Sequence, residues 1–195
     1  MHKPTVVILA QPRTGCHLLS GYLKANKFTF VDEVFNNDVS GIYNAPEHLS
    51  GLVDWVREKM AKAHSPDNVG YAVIIHRIQF NSIMSKYHLS HADGAYLLKS
   101  IFPNPKFVLL HRDDVIEQAV SFIIARHYKN WHSAANPRQV IPPSFDYGKI
   151  LNYARLAVSE WSWRDFCIDL NITTASYENL CNDPKFILGQ IEKLT

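Results

Sequence analysis

Cysteine is scarce in this 195-residue chain: Cys16, Cys167 and Cys181 are odd in number, widely spaced and form no CxxC pair. That argues against a disulfide framework and a zinc site, and it fits a reducing cytoplasm. Long hydrophobic runs are lacking too. The N-terminal segment carries only about six apolar residues in a row before Gln11-Pro12-Arg13, too short for a signal-peptide core or a membrane span. Neither sign of charge dominates: 20 Lys and Arg against 18 Asp and Glu leave +2, interspersed along the chain. A nucleic-acid binder would carry a concentrated basic stripe. With 47% hydrophobic residues and no repeat, low-complexity tract or Gly/Ser linker, residues 1–195 read as one globular domain. No Lys-Ser/Thr follows Gly15, which excludes a Walker A loop, and no arginine follows Cys16 to close a cysteine-phosphatase cradle.

What is present begins at TVVILAQPRTGCHLLSGY, residues 5–22, which reads as a buried strand, a tight turn at Gly15 and the first turns of a helix. The first N–H groups of a helix have no intrahelical partner and the helix dipole is positive there, so such a turn suits a phosphate or sulfate. Arg13 adds a full charge. Apolar runs at 6–10, 71–75, 106–110 and 172–176 predict short buried strands. Helical spacing predicts helices over 50–62 and 114–127 and a longest helix over about 147–169, whose stripe is Ile150, Tyr153, Ala154, Ala157, Val158, Trp161 and Phe166. Strand and helix alternate, which predicts an α/β fold with a mainly parallel central sheet flanked by helices. Ligands then bind beyond the carboxyl ends of the strands. The turn-rich stretches 35–48 and 132–145 read as loops, either of which would serve as a lid.

A second segment follows the strand 106–110: His111-Arg112-Asp113-Asp114, then Glu117-Gln118-Ala119-Val120-Ser121. Arg112 and Ser121 there can grip a second phosphate, or Arg112 can pair with Asp113 or Asp114 while Ser121 bonds its own helix. A third segment is Tyr177-Glu178-Asn179-Leu180 with Asp183-Pro184, a good helix start.

Pro-Arg-Thr-Gly-x-x-Leu-Leu at 12–19, Arg-x-Asp with Gln-Ala-x-Ser at 112–121, Trp131-His132-Ser133 and the Tyr-Glu-Asn-Leu segment together resemble sulfotransferases, most of all the bacterial trehalose 2-sulfotransferase type. The resemblance implies a P-loop-like sulfotransferase fold and transfer from 3′-phosphoadenosine 5′-phosphosulfate (PAPS), giving 3′-phosphoadenosine 5′-phosphate (PAP), with no metal. It implies that Arg13 and the backbone of Thr14, Gly15, Cys16, His17 and Leu18 hold the 5′-phosphosulfate and stabilise the leaving oxygen. Arg112 and Ser121 would hold the 3′-phosphate. Glu33, with Asp32 as the alternative, would be the base, and its pKa would have to be raised by burial to act near neutrality.

The chain departs from that family at Cys16 and His17, where Ser or Thr is usual. His17 can replace a lost hydroxyl as donor, and Cys16 is either a reactive thiol or a space filler. The sequence also stops soon after 177–180, where relatives run on. The expected activity is a cytoplasmic PAPS-dependent sulfotransferase acting on a hydroxyl of a glycan or other small metabolite, with Tyr43 and Trp131 as aromatic platforms. A homodimer fits base rates alone. The alternatives are an inactive relative that binds PAP or PAPS, and a nucleotide or metabolite kinase. His88, His91 and Asp93 lack further spaced ligands and are read as surface residues.

Overall fold

The computed structural model describes residues 3–31, 33–35, 45–128, 146–158, 163–166 and 169–192. Strand β1 (Thr5–Ala10), built from β-branched and aliphatic residues, is buried along its whole length. Continuous burial of this kind belongs to the middle of a parallel sheet. It pairs in parallel with β3 (Gly70–His76) and with β4 (Pro105–His111). β2 (Phe28–Val31) extends the sheet beside β3, and β5 (Thr173–Ser176) beside β4, both parallel. The order β2-β3-β1-β4-β5 gives a five-stranded, all-parallel α/β sheet.

Because every strand runs the same way, the segments that follow all five strands emerge at one edge. Those segments carry Arg13, Glu33, Arg77, Arg112 and Tyr177. The sheet also has two buried faces, since alternate side chains point to opposite sides. Val7 and Leu9 of β1 join a large cluster with α2 (Leu49–Lys62), α3 (Arg77–Lys86) and α4 (His91–Ile101). Val6, Ile8 and Ala10 pack instead with α1 (Cys16–Ala25), α7 (Tyr177–Asn182) and α8 (Pro184–Glu192). A third, smaller cluster joins α5 (Val115–Tyr128) to α6 (Tyr147–Val158) through Ala119, Ile150 and Ala154.

The four expected strands and the helices at 50–62 and 114–127 fall within a residue of those observed. The helix expected over 147–169 is a correction: α6 ends at Val158, and Arg164–Phe166 forms a separate 3₁₀ turn. Packing is the reason. Ile150 and Ala154 face α5, whereas Trp163 and Phe166 lie in the large cluster, Trp163 stacked on Phe80 at 5.5 Å between ring centroids and Phe166 edge-on to it at 5.7 Å. Trp163 Nε1 donates to the carbonyl of Ala10 at 3.0 Å, so the chain must leave the α6 axis to reach β1. Val158, expected in the core stripe, is 54% exposed.

Of His88, His91 and Asp93, the last two have local duties. Ser90 and Asp93 form a reciprocal capping box at the start of α4, and the His91 ring lies 5.3 Å from that of Phe166. Asp32, Tyr43, Trp131, Trp161, Cys167 and the body of both expected loops lie outside the described residues.

Candidate active site

The turn between β1 and α1 is shaped by two left-handed residues, Arg13 at φ 68° and Gly15 at φ 83°. Gly15 is fixed twice over. A side chain there would be strained by the positive φ, and its Cβ would lie 2.5 Å from Cδ2 of Tyr177. Gly15 offers α1 no side-chain cap, so the helix begins at the sheet edge with its positive end unblocked. The Thr14 hydroxyl serves the turn itself, donating to the Gln11 carbonyl at 2.9 Å.

Helix α5 holds this turn in place. Gln118 Nε2 donates to the Pro12 carbonyl at 2.8 Å, and Arg13 Nε donates to Ser121 Oγ at 2.9 Å. From α6, the Ala157 carbonyl accepts from Gln11 Nε2 at 2.6 Å. Ser121 is thereby bonded to Arg13, and Arg112 stands beside Arg13. Burial and the nearby Arg112 guanidinium lower the Arg13 pKa, while Cys16 and Tyr177 oppose that shift. Two guanidiniums in one partly buried corner favour an anion between them.

Glu33 follows β2 at the same edge with φ 21°. Its carboxylate is surrounded by donors from three other elements, α1, β3 and α3. Oε1 lies 3.1 Å from His76 Nε2 and 3.6 Å from His17 Nε2, and Oε2 accepts from Gln79 Nε2 at 2.9 Å. Burial alone would raise the Glu33 pKa, but hydrogen bonds from His17, His76 and Gln79 and the His76 charge drive it well below the carboxylate range. The expectation of a raised pKa is therefore reversed. His76 shifts the other way, to about 10: burial opposes its charge, yet Cys16 and Glu33 together outweigh burial. Cys16 is buried with Sγ 4.0 Å from His76 Nε2. His17 and Leu18, by contrast, are more than a third exposed at the crevice mouth.

Sequence reasoning missed four contributors. His76 and Gln79 sit on β3 and α3, segments with no motif; the only clue was a histidine ending an apolar strand. Gln118 lay unremarked inside the Gln-Ala-x-Ser signature, and Tyr177 was counted as structural although its ring lies between Gly15 and Arg112, 4.5 Å from the Arg112 guanidinium.

A strand, an arginine-bearing glycine turn and an uncapped helix start, with a carboxylate two strands away across β3, suit transfer of a charged group to a hydroxyl. The family model of the Stf0 sulphotransferases matches residues 5–194. The chain belongs to that family. Sulfonate transfer in general follows from this membership, and the protein is a sulfotransferase. No curated protein matches. Among solved structures, the sulfotransferase domain of the Synechococcus PCC 7002 olefin synthase is 15% identical with a TM-score of 0.45, over 99% of this chain and 73% of that one. Among the described residues of this Stf0 relative, no helix is long and apolar enough to cross a membrane. Nor is any group of three His, Cys, Asp or Glu residues arranged for a metal.

Proposed function

We propose that this sulfotransferase moves the sulfonate of PAPS to a hydroxyl of a glycan or other small metabolite, releasing PAP. The observation that carries this reading is the meeting of Glu33 with the first turn of α1, where His17 Nε2 lies 3.6 Å from the carboxylate. A base for the acceptor then stands beside the place where an anion is held.

The residues present fit the 5′ end of the donor. The unblocked start of α1 and Arg13 would hold the phosphosulfate, and the Tyr177 ring against Gly15 leaves room for backbone alone at the turn. PAPS is a substrate here and supplies the sulfonate. The acceptor oxygen forms the new bond to sulfur as the bond from sulfur to the phosphate oxygen breaks, and the hydroxyl proton passes to Glu33. Arg13 offsets the charge that develops on the leaving oxygen. His17 is the longest and most exposed of the three contacts to Glu33, so an acceptor hydroxyl would take its place at Oε1. Losing that donor moves the Glu33 pKa upward, toward the range in which a carboxylate takes a proton.

Within this reading residues 1–195 act as one domain, since all described strands join one sheet. The reading includes no metal, a cytoplasmic location and, on base rates, a homodimer. A second reading, a relative that binds PAP without turnover, is favoured by one observation: both Glu33 oxygens already face donors. The kinase alternative lacks the Lys-Ser/Thr that would hold phosphate and magnesium.

Titration calorimetry of the full chain with PAP, using ATP as the control, tests the donor site. Saturable PAP binding that ATP does not match is the expected result, and its absence defeats the proposal. PAPS turnover over a panel of sugars and small alcohols then separates enzyme from binding protein.

A further inference from the structure

Glu33 and the anion site share one corner of the sheet edge. His76, the last residue of β3, pairs across the sheet with Ala10, which ends β1 just before the Arg13 turn, and β3 lies between β1 and β2. It therefore stands between that turn and the strand that Glu33 follows. The first two residues of α1 reach the same place: Cys16 Sγ is 4.0 Å from His76 Nε2, and His17 Nε2 is 3.6 Å from Glu33 Oε1. The carboxylate is thus separated by one side chain from the helix start that would hold a phosphosulfate.

That closeness helps proton transfer and hinders donor binding, because an ionised carboxylate repels an incoming anion, and in partly buried surroundings a unit charge still acts over about 10 Å. The donors around Glu33 differ in what they can offset. Gln79 is neutral, and His17 is more than a third exposed, where water screens it. His76 is buried, with Nε2 3.1 Å from Oε1. Burial opposes a charge on its ring, but Cys16 and Glu33 outweigh burial and hold the ring protonated through neutrality. Its Nδ1 is buried and has no hydrogen-bond partner among the described residues, so the ring is engaged through Nε2, toward Glu33 and Cys16.

We propose that His76 is a positioning residue whose charge cancels that of Glu33 toward the donor, so that a carboxylate base and an anionic 5′-phosphosulfate can occupy the same corner. This rests on the PAPS reading above and deepens it: donor affinity depends on a buried residue of β3 that acts through Glu33.

The test is titration calorimetry of the full chain with PAP, which carries the 5′-phosphate and needs no acceptor. His76→Gln removes the charge and keeps a neutral side chain able to donate to Glu33. It is expected to weaken PAP about three- to tenfold, the scale of one unit charge about 10 Å away in surroundings of intermediate dielectric. Combining His76→Gln with Glu33→Gln removes both charges and is expected to return PAP to within about twofold of the wild type. Rescue of this kind marks a charge effect, since a lost packing contact is not repaired by a second substitution in the same cluster. Each titration is run well below the variant's melting midpoint, where the folded fraction is close to one and instability does not enter the affinity. Unchanged PAP affinity in His76→Gln, or a double variant that binds no better than His76→Gln, overturns the proposal while the PAPS reading stands. No PAP binding by the wild type overturns both.

Discussion

At the β2–β3 end of the crevice a carboxylate is encircled by donors, and at the β4–β5 end a guanidinium is encircled by carboxylates. Glu33 draws its partners from α1, β3 and α3, and its His76 partner is buried. Arg112 draws its partners, Glu117 and Glu178, from the two helix starts nearest its own strand, and Glu117 is mostly exposed. Burial makes a charge pair strong to break and stiff, whereas exposure lets water and incoming ions compete. The first end is thus built to hold one geometry, the second to exchange its partner.

The sharpest way to break the comparison is Glu33→Gln. Loss of the base is expected to lower turnover by about 10²- to 10⁴-fold while PAP affinity stays within about twofold, and steady-state kinetics beside calorimetry separate the two. Unchanged turnover would remove Glu33 from the chemistry.

His76→Leu comes next, expected to destabilise the fold by about 3 kcal/mol because it leaves the half-buried Glu33 carboxylate without its nearest cation. The pH dependence has a definite sign. The His76 pKa is raised in the fold, so its stabilisation is complete below 6.5 and is lost as pH rises toward about 10. The Glu33 pKa is lowered, so its stabilisation is present above its ordinary 4.5 and is lost as pH falls. Denaturant melts of the wild type should therefore weaken between pH 6.5 and 10, and His76→Leu should flatten that limb. A wild type equally stable across the window would contradict the buried pair.

Arg13→Ala and Arg112→Ala are each expected to weaken PAP by roughly 1.5–3 kcal/mol, the size of charge-assisted bonds, as calorimetry would show. Unchanged affinity in both variants would leave the β4–β5 end without an anion to exchange for its carboxylates.

Much of the Arg13 end was legible because its logic is local. A buried strand, a turn needing positive φ and a helix start follow each other within 5–22, and no distant residue is required to see them. The same holds for the four apolar strands and the alternation that implied a parallel sheet. The short edge strand β2 was not legible, because only four residues carry it. The long helix was misjudged because its stripe merges two packing surfaces: Ile150 and Ala154 serve α5, while Trp163 serves the sheet. Periodicity cannot tell which surface a side chain will meet. The same limit hid His76 and Gln79, 43 and 46 residues beyond Glu33.

The sequence by itself determined the α/β class, the phosphate-type turn at Arg13 and Gly15, and membership of the sulfotransferase group, because each is written in residues close along the chain. Only the tertiary structure decided that Glu33 is held ionised by His76 and Gln79, that Ser121 serves Arg13, and that Arg112 comes to the site already paired. Those outcomes depend on strand order and on burial, which set distance and dielectric between groups far apart in sequence.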